Sequence, residues 1–230
     1  MKAIYPNTSE AAYWRYLEKD YFVLKDEKIV IFGATLWTDY EVGHPDKYIN
    51  MHYAKHSMND FRFGIVRTND GETTGLSPEF CADEHQKTLE ALDNVCKKFP
   101  DYKIVVMTHH CPSLQSISMT YSGHSCNGAY VSNLEEFIKA HTNIKAWCCG
   151  HVHHRHEYQV GQCTVIANPR GYCRYNEDVE WHQDMYIFDI DDEGNVTLPL
   201  KKKIIEQQRE ARQKSIEEAM KTMDKLDNNF

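Results

Sequence analysis

Two apolar segments that each end in histidines constrain the fold of this chain most strongly. Residues 103–107 form a short apolar run that leads into a His-His pair, and residues 144–149 lead into Gly-His-Val-His-His. Residues 133–141 between them have helical spacing, so the region is predicted to be a β-α-β unit. The strands of such a unit are parallel, and their carboxyl ends lie at one edge of the sheet, where ligands collect in open α/β folds.

Five histidines occupy the two turns that follow these strands: His109, His110, His151, His153 and His154. Neutral imidazole is the commonest protein ligand for zinc, and it also suits manganese, iron and nickel. A lone histidine at a strand end is usually a structural residue, but five at two strand ends of one unit favour a metal site. We expect Gly150 to relieve a backbone constraint in the second turn.

Periodicity predicts further elements of an α/β fold: a helix at 10–20, a strand at 28–33, a helix at 83–98, hairpins around Gly161 and Gly194, and a long amphipathic helix at 201–230. Residues 38–79 show no periodicity and are predicted to be a long loop, which is often functional. The predicted domains are residues 1–200 and a helical tail, residues 201–230. The apolar stripe of that tail would pack on the body or bind a partner.

Composition limits the classes of binding partner that we expect for this chain. The formal charge is −8, from 26 basic and 34 acidic side chains, so no broad basic surface for duplex nucleic acid is expected. No apolar run approaches the roughly 18 residues of a membrane span, and the N-terminus lacks the apolar core of a signal peptide. We therefore expect a cytoplasmic protein with no membrane partner. The eight cysteines include no Cys-x-x-Cys pair and are predicted to be reduced, mostly buried thiols.

Five short motifs, in this order, resemble the calcineurin-like metallophosphoesterases, and more narrowly their bacterial and phage branch. The motifs are Gly-Ala-Thr-Leu-Trp-Thr-Asp at 33–39, Met-Asn-Asp-Phe at 58–61, Thr-His-His-Cys-Pro at 108–112, Gly-His-Val-His at 150–153 and Asn-Pro-Arg-Gly at 168–171. The resemblance implies hydrolysis of phosphodiesters or phosphomonoesters by a dinuclear metal centre. It implies His109, His151 and His153 as ligands of two divalent ions, chosen from Mn, Zn, Fe, Ni and Mg.

The resemblance also suggests how such a centre would work. The metals would polarise the phosphoryl oxygens and activate water for in-line attack. Asn168 and Arg170 would face the substrate, which is a phosphate ester and includes nucleotides among its candidates. Aromatic residues in the long loops could stack on a base, although plain packing is the commoner role for such residues.

Three family motifs are missing from the sequence: Asp-x-His, Gly-Asp-x-x-Asp and Gly-Asn-His. Residues 83–85 spell Asp-Glu-His, but they fall at the start of the predicted helix, where Asp83 is expected to act as a cap. Two divalent ions carry four positive charges, and three neutral imidazoles offset none of them. Asp39 and Asp60, both in the predicted loop, are the only nearby carboxylates. The resemblance thus covers the C-terminal half of a four-layer αββα sandwich, and the chain alone is expected to hydrolyse little.

Three hypotheses follow from this half-site. A separate polypeptide could supply the N-terminal half and complete a split enzyme. The chain could instead be a catalytically inactive binding or regulatory half-domain, or a truncated product. Retention of all three predicted ligands favours the split enzyme, since a pure binding module does not need them. An exposed half-sheet also predicts a covering partner or self-association.

Overall fold

The computed structural model describes residues 15–67, 70–175 and 186–227 of the 230-residue chain. The chain forms two compact units, residues 1–181 and residues 182–230. The first unit is a mixed α/β structure, and the second holds a small hairpin and a long helix. The predicted division into residues 1–200 and 201–230 stays a prediction, as does the four-layer arrangement.

The first unit alternates strands and helices along the chain. Its elements are β1 (Asp20–Leu24), β2 (Ile29–Ala34), α1 (Lys47–Ser57), α2 (Asn59–Phe63), β3 (Ile65–Arg67), β4 (Thr73–Gly75), α3 (Pro78–Lys98), β5 (Lys103–Thr108), α4 (Glu135–Ala140), β6 (Ile144–Cys149), β7 (His156–Val160) and β8 (Cys163–Ala167). Short 3-10 turns at Leu114–Ser116, Met119–Tyr121 and Asn127–Ala129 fill the connection between β5 and α4.

A six-stranded sheet in the order β1-β2-β5-β6-β8-β7 forms the centre of this unit. Strands β2, β5, β6 and β8 are parallel, while the outer strands β1 and β7 pair antiparallel with their neighbours. Met107 of β5 pairs with Cys148 of β6, which confirms the predicted β-α-β unit. The carboxyl ends of the four parallel strands therefore lie along one side of the sheet, which we call the carboxyl edge.

Apolar residues of the strands pack against apolar residues of α3 and form the core beside the carboxyl edge. Trp147 is fully buried, and its indole N–H donates to the Thr108 hydroxyl (2.9 Å). Helix α3 begins at Pro78, with the Ser77 side chain accepting from the Phe80 amide. The expected capping role of Asp83 is therefore wrong. Asp83 lies inside the helix and pairs with Lys87 (2.6 Å).

Two predictions of local structure are wrong. Residues 15–19 are not helical, and the chain enters β1 at Asp20, where backbone pairing with Gly33 of β2 begins. Residues 10–14 of the predicted helix lie outside the described ranges. The predicted loop at 38–79 contains α1, α2, β3 and β4. Helix α1 buries a narrow and partly polar face, including Asn50, whose amide donates to the Tyr40 and His44 carbonyls (both 2.8 Å). Such a face does not produce an apolar stripe.

The two predicted hairpins are present. Strands β7 and β8 pair around Gly161, whose φ of +58° is in the region that glycine tolerates. In the second unit β9 (Asp189–Ile190) pairs with β10 (Val196–Thr197) around Gly194, and α5 follows at Pro199–Asp227. Among the helices in the described ranges, none is both long and apolar enough to cross a membrane. Packing of an amphipathic face of α5 stays a prediction.

Candidate metal centre

Four histidines meet where β5 and β6 end, and we call His109, His110, His151 and His153 the histidine cluster. The Gly150 amide donates to the His109 carbonyl (3.0 Å), which joins the turn after β6 to the turn after β5. His109 Nε2 then lies 3.0 Å from His151 Nδ1. The ring of His110 is stacked at a tilt on that of His151, with centroids 4.3 Å apart. The structure thus brings two predicted ligands into direct contact.

Three imidazoles of the cluster, those of His109, His110 and His151, are held in the neutral form. Burial, together with smaller contributions from the neighbouring His109 and His153, lowers the pKa of His151 to about 3. Burial also lowers the pKa of His109, against the opposing charge of Asp60. His110 is 1% exposed, and burial together with His151 and His109 holds its pKa well below the usual range. Neutral imidazole is the form that binds metal.

The backbone of the second turn carries its strain at the histidines. His151 has φ +61° and His153 has φ +44°, a left-handed conformation that costs energy in residues other than glycine. Gly150 does not share this conformation, and an added Cβ would meet only the His109 carbonyl and ring at 3.8 and 4.0 Å. The expectation that Gly150 relieves a constraint is therefore wrong. Strain of this kind clusters at functional sites.

One buried ring nitrogen of the cluster lacks a hydrogen-bond partner among the described residues. His151 Nε2 is buried and has no hydrogen-bond partner within the described part of the chain. A buried polar atom left without a partner costs about 1–3 kcal/mol, so a missing group is expected beside it. The Tyr130 ring packs against His151 with centroids 4.7 Å apart, and the Tyr172 ring meets His153 at the same separation. These aromatic contacts fix both rings from the side.

The two candidate carboxylates do not complete a compact three-ligand set with the histidines of the cluster, within the described residues. Asp39 accepts from the Ser132 hydroxyl (3.0 Å), and its other oxygen lies 3.9 Å from His85 Nε2. Asp60 is close enough to His109 to oppose the lowering of its pKa. Neither joins the histidines in a compact set: across residues 15–67, 70–175 and 186–227, the one group with three ligand atoms within 4.8 Å of one another is Cys111, Cys149 and His156.

His85 is a residue at this edge that the sequence predictions missed. It is 2% exposed, and its Nδ1 lies 3.2 Å from the Leu36 carbonyl and 3.3 Å from that of Trp37. Burial lowers the pKa of His85, while Asp39 opposes the shift. Its spacing from the buried Cys81 and Thr88 was the available signal, because these positions share one face of α3.

Asn168 and Arg170 follow β8 at the carboxyl edge. Asn168 is half-buried, and Arg170 is exposed. Their position agrees with the sheet edge on which the histidines lie, because β8 runs parallel to β6. Their contact with a substrate stays a prediction.

No protein-family model and no curated protein matches this chain. Two solved structures show similarity to part of this chain. One is a phosphopantetheinyl hydrolase (PptH) from Mycobacterium tuberculosis, at 16% identity and a TM-score of 0.43, covering 64% of this chain and 51% of that one. The other is a Staphylococcus aureus protein assigned as a 5′-nucleotidase, at 18% identity and a TM-score of 0.30, covering 64% of this chain and 23% of that one. The chain spans about half the length of the first structure, and the likeness assigns neither a family nor an activity.

Proposed function

We propose that this chain is the histidine-bearing subunit of a metal-dependent phosphoesterase of the calcineurin-like type, completed by a separate polypeptide. The observation that carries the proposal is the 3.0 Å separation of His109 Nε2 and His151 Nδ1 at two parallel strand ends. Two nitrogen ligands, each about 2.1 Å from one ion, lie about 3.0 Å apart in an octahedral site and about 3.4 Å apart in a tetrahedral one. A single hydrogen bond holds the pair in the absence of metal, and an ion would replace it.

The donor set suits a divalent ion. His109 and His151 are neutral because burial lowers their pKa values, and His153 is close enough to influence both. His109 is also the exposed member of the cluster, so an ion there would be open to solvent and to substrate. Mn, Zn, Fe and Ni all accept imidazole ligands of this kind.

The charge of two divalent ions calls for anionic ligands, and we infer that these come from outside the described residues. Two divalent ions carry four positive charges, and the three imidazoles contribute no negative charge. Asp39 is engaged by Ser132 and faces His85, and no described carboxylate closes a three-ligand set with the histidines. A second polypeptide with Asp-x-His, Gly-Asp-x-x-Asp and Gly-Asn-His motifs would supply these anions. It would also offer a partner to the buried His151 Nε2.

The residues of this chain would take different roles in metal binding and in substrate binding, according to where they lie. His109, His151 and His153 would hold the metals, which supply Lewis-acid activation of the phosphoryl group and of water. Arg170, exposed at the same edge, would bind the phosphate, and Asn168 would orient it. Tyr172 is 50% exposed beside His153, so it could stack on the base of a nucleotide substrate.

A second candidate function is a regulatory half-domain that binds a partner without catalysis. The observation that favours it is the absence, within the described ranges, of a compact carboxylate–histidine set. In this alternative the neutral histidines of the cluster would pack against the partner instead of binding metal.

Reconstitution separates these two functions. We would co-purify this chain with the product of an adjacent reading frame that carries the three missing motifs, then assay a chromogenic phosphodiester with manganese. We expect activity only in the mixture, and its loss in His151→Ala. Full activity from this chain alone would contradict the split enzyme. A stable complex that binds no metal and hydrolyses nothing would establish the regulatory function instead.

A further inference from the structure

A second group of metal-type ligands adjoins the turn 150–155, and we call Cys111, Cys149 and His156 the thiol cluster. Cys111 follows β5, Cys149 ends β6, and His156 begins β7. One ligand atom from each lies within 4.8 Å of the other two. No residue of this group belongs to the histidine cluster, and the phosphoesterase proposal leaves all three without a role.

The separations within the thiol cluster fit one tetrahedral ion. Cys149 Sγ lies 3.8 Å from His156 Nε2. A zinc ion with bonds of about 2.3 Å to sulfur and about 2.05 Å to nitrogen, at the tetrahedral angle, sets these two atoms about 3.6 Å apart. This pair would need to contract by about 0.2 Å to bind the ion, and the Cys111 sulfur lies within 4.8 Å of both ligand atoms.

The imidazole of His156 is oriented as a ligand. Its Nδ1 lies 2.9 Å from the His154 carbonyl, an atom that can only accept, so Nδ1 carries the proton. Nε2 is then the unprotonated nitrogen, and it is the one that faces Cys149. A carbonyl that fixes the tautomer from behind is the usual support of a metal-bound histidine.

We propose that the thiol cluster binds one zinc ion through Cys111, Cys149 and His156. Two thiolates and a neutral imidazole carry two negative charges, which cancel the charge of the ion and permit burial of the whole site. Cys111 is fully buried, as a closed structural site requires. The hydroxyl of Ser116 is also fully buried and interacts with both thiols.

The proposed ion would act as a clamp for the turns that carry the histidine cluster. Cys149 and His156 bracket residues 150–155, and Cys111 lies two residues after His109. The Cys111 thiol already donates to the Gly150 carbonyl (3.1 Å), so the two turns are in contact there. Zinc would make this link covalent in strength and hold His151 and His153 in their strained conformation.

A disulfide between Cys111 and Cys149 is the competing use of these thiols. A disulfide would not explain why the His154 carbonyl fixes the tautomer of His156, or why the His156 ring approaches Cys149. Metal binding uses all three side chains, and for that reason the geometry favours zinc.

Cobalt substitution tests the proposal in the full chain. The protein is reduced, stripped with a chelator and titrated with Co²⁺, and we expect a thiolate-to-cobalt charge-transfer band that saturates at one equivalent and is displaced by zinc. Cys149→Ser should lose the band. Cys148→Ser, the neighbouring position on the opposite face of β6, is the matched control and should keep it. His156→Gln should weaken cobalt binding about tenfold or more, which covers the case in which Cys149→Ser does not fold.

The readout is independent of the phosphoesterase proposal. Cobalt bound by the histidine cluster gives no thiolate band, so His151→Ala should leave the band intact whether or not the chain belongs to an enzyme. A reduced wild-type protein without the band would overturn the zinc site. So would a Cys111–Cys149 disulfide that forms under reducing conditions, or equal loss of the band in Cys148→Ser and Cys149→Ser.

Discussion

The histidine cluster and the thiol cluster adjoin the same turn, yet they differ in exposure and in charge. The histidine cluster includes the exposed His109, and its rings carry no negative charge of their own. The thiol cluster includes the fully buried Cys111 and can supply two negative charges of its own. The first needs anions from elsewhere to hold two metal ions, whereas the second can balance one ion by itself.

This difference teaches where each cluster can act. A catalytic metal needs an open coordination position and access for substrate, while a structural zinc is enclosed by its ligands. The cluster with the exposed His109 therefore fits chemistry completed by a partner, and the cluster with the buried thiol of Cys111 fits stabilisation of the turn that both adjoin. The predictions below test that separation, beginning with the largest effect.

Replacement of His151 should remove the activity of the reconstituted phosphoesterase. We expect His151→Ala to lower kcat/KM at least about 100-fold, because loss of a metal ligand costs more than the 10- to 100-fold typical of a supporting residue. The measurement is phosphodiester hydrolysis with manganese in the complex with the partner polypeptide.

His154→Ala is the matched control, since His154 lies in the same turn and is given no ligand role. It should keep activity within a few-fold of wild type. Equal losses in the two variants would show that the turn is needed only as a folded element, and the separation between the clusters would fail.

Thr108 joins the turn after β5 to strand β6, so its replacement should destabilise the carboxyl edge. Its hydroxyl donates to the His110 carbonyl (2.7 Å) and accepts from the indole of the buried Trp147 (2.9 Å). Thr108→Val keeps the shape but leaves the indole N–H without a partner. We expect the free energy of unfolding in urea to fall by about 1–3 kcal/mol.

Thr108→Ser retains the hydroxyl and should restore most of that stability. If Thr108→Val is as stable as wild type, the ends of β5 and β6 are held together by other contacts, and the role assigned to the Thr108 hydroxyl is refuted.

The sequence was sufficient to predict that histidines meet at the carboxyl edge, but it was not sufficient to predict the thiol cluster that adjoins the same turn. Apolar runs and the handedness of β-α-β connections depend on local pattern, so the meeting of His109 and His151 at adjacent strand ends could be predicted. The thiol cluster could not, because Cys111 and Cys149 resemble ordinary buried cysteines until the register of β5 and β6 brings their turns together.

Polar side chains that serve distant backbone groups were the other source of error. Asn50 donates to the carbonyls of Tyr40 and His44, and it makes the buried face of α1 look polar in sequence. The ring of His85 contacts the Leu36 carbonyl, 49 residues away, although its position in sequence suggested the exposed start of a helix. Nothing in local spacing specifies such partners.

Lowering the pH should reduce the free energy of unfolding, because the folded chain buries histidines such as His85. Burial lowers the folded pKa of His85 below the unfolded value of about 6.5. As the pH falls through that value, the unfolded chain takes up a proton that the native state resists. The free energy of unfolding should therefore decline below about pH 6.5, by up to about 1.4 kcal/mol per pH unit for each such histidine.

His85→Gln removes one of these protons and should make the decline shallower by up to that amount. Urea denaturation of both proteins at pH 7.5 and pH 5.5 gives the comparison. Identical slopes for the two proteins would mean that His85 titrates alike in the folded and unfolded states, contrary to its burial.

Replacement of Gly150 should have the smallest effect, although Gly150 stands between the two clusters. Its backbone conformation is open to any residue, and a new Cβ would meet atoms of His109 no closer than 3.8 Å. Alanine also restricts the unfolded chain, so we expect Gly150→Ala to change the free energy of unfolding by less than about 1 kcal/mol.

Gly128→Ala is the contrasting variant, since a Cβ there would collide with the Val42 carbonyl oxygen. Thermal denaturation of the two variants should show a clear loss only for Gly128→Ala. A large loss in Gly150→Ala would mean that the turn requires glycine after all, and the strain assigned to His151 and His153 would have to be shared with Gly150.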